Sequence, residues 1–151
     1  MLVDDLLREA SDDHGLKVAE QAFKNELSSG KPSADATFLY AYFLLRSKES
    51  DVKLGISLLS DLLNGSGSSK EDKLDYLFYT AVGHARLKNF DLALQLLDGM
   101  LEDDALNDRA KVMKEAIERR IVQEGYVNKG LIFSIIGGIA ITLATAFMRL
   151  R

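Results

Sequence analysis

The chain has 151 residues, of which 47% are hydrophobic and 28% charged, with 19 Lys and Arg against 23 Asp and Glu for a net charge of −4. That balance is globular, not disordered, and its acidic sign argues against a nucleic-acid partner, whose readers carry a basic patch. Cysteine is absent, which excludes disulfides and thiolate metal sites, and the acidic start Met1-Leu2-Val3-Asp4-Asp5 resembles neither a secretory signal nor an Arg-rich matrix-targeting peptide.

Taken in order, the elements read as helices almost throughout. Leu16, Ala19, Phe23 and Leu27 give the first full apolar stripe, and Gly30-Lys31-Pro32 ends it, with Ser33 placed to cap the next helix. Val52, Ile56, Leu59 and Leu63 mark another. The loop Gly65-Ser66-Gly67-Ser68-Ser69 follows, and Ser68 with Glu71 reads as a capping box. Leu74, Leu77, Phe78, Ala81 and Ala85 continue the helical period. Asn89 is placed to cap a helix carrying Phe90, Ala93, Leu94, Leu97 and Leu101. Leu106, Ala110, Met113, Ile117 and Ile121 predict the last cytosolic helix. Alternating apolar and polar runs bounded by turns are lacking, so no sheet is expected.

Residues 130–148 read GLIFSIIGGIAITLATAFM, nineteen residues without a charge, bounded by Lys129 and by Arg149 and Arg151. As a helix this run spans about 28 Å, close to a bilayer core of about 30 Å, which predicts one transmembrane tail anchor with the preceding domain cytosolic. A buried core helix of this length would need a polar face, which the run lacks. Its moderate hydrophobicity and basic flanks suit the mitochondrial outer membrane or peroxisomes better than thicker membranes. Ser134, Gly138, Thr142 and Ala146 form a small-residue stripe for helix association, although a weakly apolar anchor is the simpler account.

Catalytic signatures are weak. His14 and His84 are the sole histidines and lie seventy positions apart; each reads as a surface or packing residue. The Gly65–Lys70 stretch lacks the spacing of a phosphate loop, and Asp12-Asp13 and Asp103-Asp104 lack the alternating ligands of a calcium loop. The chain is expected to be a binding module without cofactor or metal, and not an enzyme.

An internal repeat is legible. Phe38-Leu39-Tyr40-Ala41 to Arg46 aligns with Phe78-Tyr79-Thr80-Ala81 to Arg86, and Gly55-Ile56-Ser57-Leu58-Leu59 with Ala93-Leu94-Gln95-Leu96-Leu97. The second copy resembles a tetratricopeptide repeat through Ala81, Leu87, Phe90, Ala93 and Leu97, with Leu77 and Ala105 in place of the consensus tryptophan and proline. The resemblance implies an all-α fold: a six-helix bundle or short solenoid with helix pairs at about 34–66 and 70–105, plus the C-terminal span. The expected organisation is an arm at 1–10, a helical domain at 11–125, a linker at 126–129, the span at 130–148 and a basic tail at 149–151. First helices of such pairs line the concave side. This makes Phe38, Tyr42, Leu45, Arg46, Phe78, Tyr79, Val82, Ala85 and Arg86 the candidate partner-binding groove, with Phe78 equally readable as core. Tyr76, Tyr79 and Val82 cannot all enter one core, so some aromatic surface is expected to stay open.

Tyr40-Ala41-Tyr42, Arg46-Ser47-Lys48, Gly55-Ile56, Asp75-Tyr76-Leu77-Phe78-Tyr79, Ala81-Val82-Gly83, Arg86-Leu87-Lys88 and Ala93-Leu94 resemble the mitochondrial fission 1 family over about 37–111. The resemblance implies an adaptor on the mitochondrial outer membrane and on peroxisomes, recruiting a dynamin-related GTPase directly or through a bridging fission adaptor, with homo-oligomers also open. It also implies an N-terminal arm able to lie over the groove and regulate access. Leu2, Val3, Leu6 and Leu7 supply an apolar strip for that role, or else extend the first helix onto the core. The alternative function is a tail-anchored receptor for precursor import or chaperone docking. The apolar lining at Phe38, Tyr42, Phe78 and Val82 argues against a carboxylate clamp, but not against a groove for amphipathic helices.

Overall fold

The computed structural model describes residues 3–10 and 12–125. The expected span at 130–148, its flanks Lys129, Arg149 and Arg151, and the arm residue Leu2 lie outside them. Among the described residues there are seven helices, not six: α1 (Val3–Leu6), α2 (Asp13–Ser28), α3 (Ala34–Leu45), α4 (Glu49–Asn64), α5 (Lys70–Arg86), α6 (Phe90–Asp103) and α7 (Asp108–Gln123). The added element is α1, a single turn within the arm.

Four of the six long helices, α2, α3, α5 and α7, start where a side chain satisfies a free N–H group. Asp12, Ser33 and Asn107 accept from the backbone N–H groups of Gly15, Ala36 and Ala110. The capping box of α5 is one residue later than the expected Ser68–Glu71 pair. Ser69 Oγ accepts from Asp72 N–H at 3.0 Å, and Asp72 Oδ2 accepts from Ser69 N–H at 3.0 Å. An aspartate at N3 closes the box as a glutamate would, so the shorter side chain misled the reading. Asn89 sits at the N-cap of α6 without a side-chain bond there. Leu106 also departs from expectation. It lies before α7, 80% exposed, because Asn107 caps the helix and the stripe begins only at Ala110.

Packing proceeds from neighbour to neighbour: α2 on α3, α3 on α4, α4 on α5, α5 on α6, α6 on α7. This is the stacking of antiparallel pairs, with α3–α4 and α5–α6 as the two repeats and α3 also touching α5. Glycines permit the closest approach. A Cβ on Gly55 would come within 3.1 Å of the Ala41 carbonyl oxygen, and one on Gly83 within 2.7 Å of Leu45 and Ile56 side-chain carbons. The core falls into a small cluster of Ala19, Tyr40 and Leu44, a middle one around Leu45, Leu59 and Tyr76, and a large one joining α5, α6 and α7. Leu27, expected on the α2 stripe, is 53% exposed, since α2 ends the stack and is packed on one side only.

Candidate partner-binding groove and arm

The first helices of the two pairs, α3 and α5, bring an aromatic cluster together at their contact. The Tyr79 ring is its hub, 5.5 Å from Phe38, 5.5 Å from Tyr42 and 5.2 Å from Phe78, each edge-on. Phe38 also meets Tyr76 at 5.5 Å. Edge-to-face pairs at these distances add directional stability beyond the area they bury. Burial, and next to it the neighbouring Tyr42, push the Tyr79 phenol up from its ordinary pKa, so it stays a neutral donor.

The nine candidate groove residues divide by depth. Leu45, Phe78, Val82 and Ala85 are all at most 2% exposed and lie inside the helix packing. Phe38, Tyr42, Arg46, Tyr79 and Arg86 are partly exposed. Of the three residues expected to compete for one core, Tyr76 joins the middle cluster and Val82 the large one, while Tyr79 packs at the margin of both. The accessible surface is therefore an aromatic and cationic strip over an apolar floor.

Arginines frame that strip. Arg46 donates from Nη1 to the Tyr42 hydroxyl at 3.0 Å, with its guanidinium 5.7 Å from the Tyr42 ring centre. Arg86 is nearly buried and donates to the Leu45 and Ser47 carbonyls at 2.9 and 3.0 Å. Burial pulls its pKa down, and Glu9, 4.0 Å away, opposes that shift. Arg109, which sequence reasoning did not single out, stacks 4.3 Å over Phe78 and pairs with Asp75 at 2.6 Å. Its only sequence signal was a cation near a helix start, where helix dipoles disfavour one.

The arm is folded back onto the body. Leu6 and Leu7 are 6% and 4% exposed and join the large cluster of α5, α6 and α7, with Val3 packed beside them. Arg120 donates to the Leu7 carbonyl, Arg119 lies 3.8 Å from Asp4, and the Ala10 N–H donates to the Arg46 carbonyl at 2.9 Å. The arm thus touches α7, the end of α5 and the end of α3 together. Arg120 could not be found from sequence, since its partner is a main-chain carbonyl 113 positions away.

Comparisons with known proteins agree with this architecture. Residues 74–126 match the family described as the Fis1 C-terminal tetratricopeptide repeat. The chain is 37% identical to the bovine mitochondrial fission 1 protein, covering 83% of this chain and 79% of the relative. It is 35% identical to the FIS1-related protein fis-2 of Caenorhabditis elegans, covering 92% and 89% respectively. Among solved structures, yeast Fis1 in complex with an Mdv1 fragment matches with a TM-score of 0.68 at 21% identity, covering 82% of this chain and 94% of that one. Identity at that level speaks for the fold, and the relatives speak for the lineage: this chain belongs to the mitochondrial fission 1 family of tetratricopeptide-repeat adaptors.

Proposed function

We propose that the chain is a membrane-anchored adaptor for mitochondrial and peroxisomal fission, which recruits a dynamin-related GTPase directly or through a bridging protein. The observation that carries this reading, beside the family, is the aromatic strip of Phe38, Tyr42 and Tyr79 across the two repeats. A half-open apolar surface on a rigid helix pair suits an amphipathic helix better than a small substrate, because it offers anchors at helical spacing. The yeast relative in complex with an Mdv1 fragment supports the bridging route by analogy. On this reading the apolar run at 130–148 holds the groove at the organelle surface, and the GTPase does the mechanical work.

The docked arm gives the groove a means of control. Because Leu6 and Leu7 are already buried, a partner that competes for the same face must displace them. Binding of fission-machinery proteins should therefore respond to deletion of residues 1–10. The decisive experiment is affinity capture on the full chain in neutral detergent, with Phe38→Ala and Tyr79→Ala as controls. Capture of fission-machinery proteins, lost in both variants, supports the adaptor. Presequence peptides taken in their place would shift the assignment to an import receptor.

A further inference from the structure

Two clefts flank the docked arm. One, of about 290 Å³, lies where the arm meets the ends of α5 and α7, and is lined by Arg8, Arg86, Lys88 and Arg120 with Glu9 and Glu124. The other, of about 200 Å³, shares Leu7, Arg8 and Arg120 with it and adds Arg119 and Asp4. Five cationic side chains thus face three carboxylates, in a chain whose overall charge is −4. The C-termini of α5 and α7 each contribute roughly half a negative charge, which offsets about one of the two surplus positive charges. One remains.

Two of the cations are also held in place. Arg86 is fixed by the Leu45 and Ser47 carbonyls, and Arg120 by the Leu7 carbonyl together with Glu124 at 3.2 Å. Glu124 serves Lys88 as well, at 3.1 Å, so a single carboxylate is divided between two cations. A ligand entering here meets guanidinium groups that have already lost their rotamer freedom, which lowers the cost of binding. The larger cleft has room for several waters at about 30 Å³ each, enough for a partly hydrated tetrahedral oxyanion.

We propose that a phosphate-type oxyanion binds in this cleft, bridging Arg8 of the arm to Lys88 and Arg120 of the body. Both sides of the site exist together only when the arm is docked. The anion therefore binds the docked state better than the released one, and by linkage it holds the arm down. The phosphate can come from a phospholipid headgroup, because Glu124 and Gly125 at this corner lead into residues 126–151, or from a soluble phosphate ester.

Pyrophosphate titrated into the full chain in neutral detergent, read by backbone amide NMR, tests the site. Saturable shifts at Arg8, Lys88 and their neighbours are expected, with slower hydrogen exchange at the Ala10 amide, whose partner is the Arg46 carbonyl. Arg8→Gln and Lys88→Gln change exposed positions and keep the fold. Each should weaken binding by about three- to tenfold. Equal shifts from sodium chloride at matched ionic strength, or an affinity unchanged in the double variant, would overturn the proposal. Bilayers separate the sources. Slowing of Ala10 exchange by anionic lipid alone, abolished in the double variant, assigns the headgroup; slowing only on adding pyrophosphate assigns the soluble ester. None of these readouts depends on a fission role.

Discussion

At the scale of single residues, Arg86 links the two repeats most directly. Its donors satisfy the Leu45 and Ser47 carbonyls at the end of α3, groups that would otherwise be left unpaired beside a nearly buried side chain. Arg86→Ala should cost about 2–4 kcal/mol in denaturant unfolding, since two acceptors lose their donors in a partly dry site. Arg86→Lys should recover less than half of that, because an ammonium lacks the planar fork that reaches both carbonyls. Full recovery by lysine would reduce the role to charge alone. His84 carries a second residue-scale prediction. Burial lowers its pKa below 6.5, and its Nδ1 is buried without a hydrogen-bond partner among the described residues. The folded state therefore prefers the neutral ring, while the unfolded chain takes up a proton near pH 6.5. Stability should be full above that pH and decline as pH falls below it toward the depressed folded value. His84→Gln should remove that slope. The comparison separates His84 from Glu118, whose pKa burial raises and whose linkage runs in the opposite direction.

At the scale of elements, α7 shows what periodicity can and cannot deliver. Ala110, Met113, Ile117 and Ile121 are at most 3% exposed, as their spacing predicts, whereas Leu106 continues the same arithmetic and is 80% exposed. The difference is a cap. Asn107 caps the start of α7 and so leaves Leu106 outside the helix, where its N–H donates to Asp104 Oδ1 instead. Ile117→Ala should destabilise by about 2–5 kcal/mol, and Leu106→Ala by no more than about 0.5 kcal/mol, in the same unfolding assay. A large cost for Leu106 would mean that it is covered in solution. The helix pairs and their stacking order were legible because small residues and aromatics recur at fixed offsets. The depth of the groove residues was not. Leu45 and Phe38 sit on one helix with similar local patterns, and the close approach of α4 at Gly55 and of α5 at Gly83 buries the first while the second stays half-open. The apolar strip of the arm was legible at Leu6 and Leu7, but its place of docking was not, because its polar partners are a main-chain carbonyl and distant arginines.

At the scale of the molecule, the repeats set a direction. Since α3–α4 and α5–α6 are antiparallel pairs, the ends of α3, α5 and α7 gather at one edge, where Arg86 reaches the α3 carbonyls and Lys88 reaches Glu124. The arm returns to this edge, and the chain leaves α7 from it toward residues 126–151. The opposite edge carries an acidic excess, with Glu71, Asp72, Glu102, Asp103, Asp104 and Asp108 against Lys70, Lys73, Arg109 and Lys111. On the proposed anchoring through residues 130–148, a domain held at Gly125 is expected to turn that edge outward, because an anionic leaflet repels acidic segments. The described residues supply three core clusters of their own, with Leu45, Phe78, Leu97, Met113 and Ile117 at most 1% exposed. Truncation after Gly125 should therefore leave the thermal midpoint of the helical domain unchanged by circular dichroism. In cells the same truncation, carried on an N-terminally tagged fusion, should disperse the protein from mitochondria. A truncated domain that melts early would make the tail part of the fold, and one that stays on the organelle would move the anchoring function into the repeats.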